Sequence, residues 1–426
     1  MTALVLLAAL YTNTAQVHGL AAQGSTLWAA TDGGVEQYDL AAGRRLRLFT
    51  TEDGLDTSAV EQIWIAAGAV HARTASSSCA LSSGAFVCSP APPLPAAVPL
   101  AAPSFHGSRV TARLQAAGKS VIATAGKGIW SNDQELTPAG QVCGNHLEAL
   151  AEFDGQLWAG AFDGGLCVQR ADGSFRRVAA PFRMVNDLRP TRRGLYVAAA
   201  EGLFVTRDGR KFRREGRVRE RGVNRLAATG RWLFATTPAV LYALRLEGPD
   251  VVRRFPHPAG STALQAVAVS GGDVWLASED VGVIRMRQEK FVAFDRASGL
   301  PSSWTVDVAA APGGGVWAAT LRNGAVRLGA DGSVRELGKD RKAWGLRLYQ
   351  DGGRLLFGTQ QGLCVLTFAG GQTEADVPPA AWAPQPPDAR VHALLRTRDG
   401  LWVGTEGGLA LLDPAAPVSN ASPTKK

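Results

Sequence analysis

The stretch VHALLRTRDGLWVGTEGGLALLD, from Val391 to Asp413, contains three short apolar runs separated by two turns, DG and EGG. Apolar and polar residues alternate in the runs as they do in strands. The glycines stand where tight hairpins need a positive φ. The pattern returns at Val17 as VHGLAAQGSTLWAATDGGVEQYD, at Leu147 as LEALAEFDGQLWAGAFDGGLCVQ and at Val306 as VDVAAAPGGGVWAATLRNGAVRL. Weaker copies start near Val60, Val110, Val185, Val223, Leu264 and Gly345. The tryptophan position of the second run is then occupied by Trp28, His71, Val121, Trp158, Tyr196, Phe234, Trp275, Trp317, Leu356 and Trp402. The first and last of these lie 374 residues and nine steps apart, about 42 residues per step. That is the period of propeller blades.

A fourth, more variable strand closes each unit, as in SFRRV or KFVAF. Two residues after the anchor stands a small residue (Ala30, Gly160, Ala277, Ala319, Gly358, Gly404), which suits a large ring wedged between radially packed sheets. The expected fold is all-β: a β-propeller of about ten four-stranded blades in one ring, spanning residues 16–413. Two readings stay open for residues 1–15. LVLLAALYT sits where a fourth strand would complete the last blade and close the ring. The same residues have the apolar core of a signal peptide, without a basic n-region. The tail 414–426 is polar and Pro-rich and is expected to be disordered, and Ser89 to Pro103 reads as a long loop.

FDRASGLPSSWTVDVAAAPGGGVWAATLRNGAVRL and the Val391 stretch resemble two-component-regulator propeller repeats. The resemblance implies a periplasmic or secreted sensor-like module, as in the sensor domains of hybrid histidine kinases, and it names no ligand. The chain shows no kinase, receiver or membrane-spanning stretch.

The net charge of +8 is locally concentrated: residues 170–225 carry sixteen Lys or Arg against six Asp or Glu. Arg207, Arg210, Lys211, Arg213, Arg214, Arg217, Arg219 and Arg221 form a candidate basic face for an acidic partner. No aromatic residues interleave with the run, which argues against single-stranded nucleic acid. None of the five cysteines forms a CxxC pair, so a zinc ribbon or a thioredoxin-type site is not expected. Cys79 and Cys88 flank a hairpin and could form a disulfide, and Cys143 could bridge to Cys167; disulfides would imply an oxidising compartment. Cys364 reads as a small buried hydrophobe.

HExxH, GxSxG and GxGxxG are absent, and AGKS at Ala117 lacks the earlier glycine of a phosphate loop, where Arg113 stands. One register is more informative. Ten residues before each anchor stand His18, Glu61, Thr111, Glu148, Asn186, Asn224, Gln265, Asp307, Leu346 and His392, a mostly polar set on the strands expected to line the central channel. Such a ring could simply keep a channel wet, or it could hold a ligand or a divalent metal. Regucalcin-like lactonases and streptogramin lyases are similar in placing metal ligands of these types there, but none of their motifs matches this sequence residue by residue. His146 falls out of register with the set. Three functions therefore stand: a non-catalytic binding or sensing module with no cofactor, a metal-dependent hydrolase or lyase using the channel, and a scaffold docking an acidic partner on the basic face.

Overall fold

The computed structural model describes residues 7–93, 103–258, 263–337, 345–352, 354–360, 362–367, 381–382 and 390–412. Residues 1–6, most of the Pro-rich loop (94–102) and the tail 414–426 lie outside them. The described chain consists of strands and turns, with one 3-10 turn at Thr51–Asp53. None of its helices is long and apolar enough to cross a membrane.

The strands form ten antiparallel sheets, nine of four strands and one of five. They are sheet 1 (17–49), sheet 2 (62–90), sheet 3 (104–135, five strands), sheet 4 (147–178), sheet 5 (185–214), sheet 6 (225–256), sheet 7 (264–294), sheet 8 (305–337), sheet 9 (345–382) and sheet 10 (391–412). Sheet 10 draws only three strands from its own repeat. Leu7–Tyr11 lies beside Leu409–Leu412 as its fourth.

The chain divides into two units, one built on sheets 4 to 10 and the other on sheets 1 to 3. In the larger unit the small residue after each anchor is where neighbouring sheets meet. A Cβ on Gly160 of sheet 4 would come within 2.3 Å of Val185 in sheet 5, and one on Gly358 of sheet 9 within 2.8 Å of Val391 in sheet 10. Gly404 of sheet 10 makes the same approach to Leu147 of sheet 4, at 3.0 Å from its Cβ. That last step leads back to the unit's first sheet, so these seven sheets close on themselves. Apolar layers fill the wedges between them: Trp158 and Val185 pack together between sheets 4 and 5, Trp275 and Val308 between sheets 7 and 8, and Trp317 and Phe357 between sheets 8 and 9.

The ten expected blades are thus present, and the ring that closes contains seven of them. The repeat could not show this, because the contact at the seam is built from the same residue types as every other blade contact. In the smaller unit, sheet 1 is central. Trp28, Ala30 and Val35 face Ile63, Val70 and Cys79 of sheet 2, while Leu27, Ala29 and Tyr38 face Val121, Ala123 and Ile129 of sheet 3.

Cys79 and Cys88 are directly opposed on the third and fourth strands of sheet 2 and form a disulfide, with Cα atoms 4.0 Å apart. The expected second bridge is not formed. Cys167 lies on the third strand of sheet 4 with its thiol 3.5 Å from the carbonyl oxygen of Ala159, and Cys143 is buried in the segment before that sheet, in the other unit. Cys364 is buried, as expected.

The Cys79–Cys88 bond closes a short loop, so its loss should matter locally. Replacing both cysteines with serine should lower the stability of the three-sheet unit by about 2–3 kcal/mol, measured by denaturant unfolding. An unchanged midpoint would mean that the bond contributes nothing.

Candidate functional site

Eight of the first strands carry a β-bulge one residue after the start of pairing, between Val17 and Gly19, Val110 and Ala112, Leu147 and Ala149, Val185 and Asp187, Leu264 and Ala266, Thr305 and Asp307, Gly345 and Arg347, and Val391 and Ala393. A bulge leaves its extra residue out of the ladder and re-aims the side chain. The polar register of the sequence is mostly this bulged position: His18, Thr111, Glu148, Asn186, Gln265, Leu346 and His392. In sheet 8 the bulged residue is Val306. The longer turn between Ala310 and Val316 adds a residue to the count from the anchor, so Asp307 falls one register further on.

Several of these residues tie structure together. The Asn186 amide donates to the Val223 carbonyl of the next sheet at 2.8 Å, and Asn224 does the same to Leu264 at 2.7 Å. His18 pairs with Asp32 at 2.6 Å, Gln265 with Glu279, and His392 with Glu406 at 3.2 Å, in each case fourteen residues on, just past the second strand. His18 and Glu61 belong to the three-sheet unit, and Glu61 is exposed. Neither takes part in the channel of the seven-sheet ring.

That channel holds a cavity of about 470 Å³ lined by first strands of all seven sheets. Among its charged residues Asp187, Asp307 and Arg347 stand one register beyond the bulges of sheets 5, 8 and 9, and Arg225 begins the first strand of sheet 6. Arg347 reaches across to Asp187, Nη2 to Oδ1 at 3.2 Å. Each aspartate also accepts a backbone N–H from the next sheet: Asp187 from Leu226 at 2.9 Å and Asp307 from Leu348 at 2.8 Å.

Burial would raise the Asp187 pKa, but the charges of Arg347, Arg189 and Arg225 outweigh it and hold the carboxyl below its usual range. At Asp307 burial wins over Arg347 and Arg225, and the pKa is raised. Arg225 is pulled down by burial and by its like-charged neighbour Arg347. Arg347 resists burial through Asp187, Asp307 and Glu148, and its pKa is raised. Arg189 also lines the cavity, donating from Nη2 to the Leu226 carbonyl at 3.0 Å, while its buried Nε has no hydrogen-bond partner among the described residues.

A second cluster lies at the start of the same strands. His392 faces Glu148 through Nδ1 and Glu406 through Nε2, both at 3.2 Å. His146 Nε2 is 2.9 Å from Glu148 Oε1, and its ring centroid is 4.6 Å from that of His392. Arg390 pairs with Glu406 at 2.7 Å, and Arg225 stands 3.6 Å from Glu148. Burial lowers the pKa of His392, but hydrogen bonds and charge from Glu148 and Glu406 overcome it and lift the value to about 9. Burial likewise opposes ionisation of Glu148, yet the histidines and Arg225 hold it well below the ordinary range.

His146, out of register by counting, is therefore a full member of the cluster. It was missed because it precedes its strand. Glu406 was equally hidden, as the first residue past a second strand. Asp187, Arg225 and Arg347 were legible only one register beyond the polar set.

The basic run lies at the outer edge of sheet 5, where Arg213–Arg214 is the fourth strand. Arg217 is bound to Glu215 at 2.8 Å and Asp250 at 3.2 Å. Arg207, Arg210, Lys211, Arg213, Arg214, Arg219 and Arg221 are exposed.

Residues 385–407 match the family model of the two-component regulator propeller. That single copy of the repeat is similar to this type. The match covers the first and second strands of sheet 10, and with them His392 and Glu406. Among solved structures the chain is similar to two of the extracellular domain of BT4673 from B. thetaiotaomicron, described in one case as a hybrid two-component system and in the other as a one-component system. The first is 12% identical with a TM-score of 0.53, covering 94% of this chain and 70% of that one. The second is 13% identical with the same TM-score, covering 96% and 70%. At these identities the likeness carries the β-propeller fold. None of the curated proteins matches the chain.

Arg347→Met should destabilise the seven-sheet ring by about 3–5 kcal/mol, because it strands a buried carboxylate, whereas Asp187→Leu with Arg347→Met should recover most of that. Denaturant unfolding of both variants checks this, and equal losses would refute it. A pH effect should come from His392. An unfolded imidazole titrates near 6.5 and the folded one at about 9, so between those values the folded chain holds the extra proton. Its stabilisation is complete below the lower value and is lost as pH rises through the upper. Urea midpoints across this window should fall in the wild type and flatten in His392→Gln; parallel slopes would exclude the assignment.

Proposed function

We propose that the seven-sheet ring is a non-catalytic sensing module that takes a small anionic organic ligand into its channel cavity. The observation that carries this reading is Arg189. With Arg225 and Arg347 it lines a cavity of about 470 Å³, within the range that small-molecule sites occupy.

Arg225 and Arg347 border the same space, and the nearby carboxylates of Asp187 and Asp307 are held by backbone amides. A ligand carboxylate or phosphate would therefore meet guanidinium groups already fixed in place, with little rotamer freedom left to lose. Apolar walls from Leu150, Val267, Val308 and Leu394, with Tyr349 and Gln350, would accept the ligand's carbon skeleton. An extracytoplasmic setting is supported by the Cys79–Cys88 disulfide and by the extracellular origin of the similar propellers.

Thermal-shift screening of the full chain with small carboxylates, phosphates and matched neutral compounds tests the reading. Anions should raise Tm in the wild type and bind at least ten-fold more weakly to Arg189→Met. A response to neutral compounds alone, or equal binding by the variant, would overturn it.

A further inference from the structure

The geometry points to a divalent metal site, of zinc-like preference, at the head of the seven-sheet ring, with His146, His392 and Glu406 as ligands and Glu148 orienting His392. The three ligand residues each offer a donor atom, and these atoms all lie within 4.8 Å of one another. His392 Nε2 and Glu406 Oε1 are 3.2 Å apart. Zinc bonds to nitrogen and oxygen of about 2.0–2.1 Å set tetrahedral donors roughly 3.3 Å apart, so these two atoms already stand at the edge of such a site.

The surroundings supply what the ligands need. His392 faces Glu148 through its other nitrogen, Nδ1, at 3.2 Å. A carboxylate accepting Nδ1–H fixes the tautomer that leaves Nε2 for the metal, the arrangement that commonly backs metal-bound histidines. Glu148 is in turn held by Arg225 at 3.6 Å. Arg390 engages the second oxygen of Glu406, Oε2, at 2.7 Å, which leaves Oε1 turned toward His392. The ring of Phe162, 5.1 Å from that of His146, limits the swing of the third ligand.

All of these groups come from sheets 4, 6 and 10 or from residues adjoining them, on both sides of the seam where sheet 10 meets sheet 4. Three protein donors leave a tetrahedral ion one open position. The site is thus of the kind that can take a water or a ligand atom as its fourth partner. It lies toward the strand starts, before the cavity-lining residues Leu150 and Leu394, and does not depend on the anion reading above.

The test is zinc titration of the full chain after chelator treatment, followed by calorimetry, with cobalt as a spectroscopic substitute. One equivalent of zinc should bind, and cobalt should give the intense visible bands of a tetrahedral centre. His146→Ala and Glu406→Gln should each weaken zinc binding ten-fold or more. Glu148→Gln should weaken it about 10–100-fold with the stoichiometry retained. Circular dichroism and thermal unfolding establish that each variant is folded, and Glu406→Gln is close to isosteric if His146→Ala is not. His18→Ala, in the other unit, should leave binding unchanged. Absence of stoichiometric zinc at 100-fold molar excess would overturn the proposal, as would equal affinity in folded Glu406→Gln.

Discussion

The larger unit depends on how closely one sheet can approach the next. At Gly160, Gly358 and Gly404 the residue after the anchor pair comes so near the first strand of the neighbouring sheet that a methyl group would collide with Val185, Val391 or Leu147. Small residues there let the large anchor rings, Trp158, Trp275 and Trp317, fill the wider part of each wedge. The number of sheets that close follows from this taper, because each approach fixes the angle between two blades.

The same close packing explains the channel. In six of the seven sheets the first strand carries the recurrent bulge, which removes one residue from the pairing. The side chains turned out by the bulge then face one another or the next sheet. Some become structural ties, as Asn186 does. Others meet as charged groups, as Glu148 and His392 do. One register further in, Asp187, Arg225, Asp307 and Arg347 fill the axis with charges that are tolerable only because each carboxylate also receives a backbone N–H or an arginine.

Much of this was legible in the sequence, and for identifiable reasons. Strand alternation, glycine at the turns and a 42-residue step are local signals, and they located every blade. The Cys79–Cys88 bond was legible because a hairpin fixes which residues oppose. The seam was not, since Gly404 looks like Gly160 and Gly358 and nothing in a repeat records which copy is its neighbour. The bridge proposed for Cys143 and Cys167 failed for a related reason, as sequence proximity across a blade boundary does not imply a shared sheet. In the channel, counting back from the anchor found Glu148 and His392. It misplaced Asp307, where a longer turn shifts the count, and it passed over His146 and Glu406, which lie outside the strands that were counted.

The fourth strand of sheet 10 comes from Leu7–Tyr11, about 400 residues before the strand it joins. During synthesis this segment is made long before its partner. Throughout synthesis the growing chain carries an apolar strand with both edges open, the kind of element that recruits strangers. The loop that must close spans about 400 residues, so much of the sequence separation falls on a single event. Completion of the last blade is therefore a checkpoint on chain length: a product truncated before Leu409 would lack the strand that Leu7–Tyr11 joins and would leave that apolar edge unclaimed.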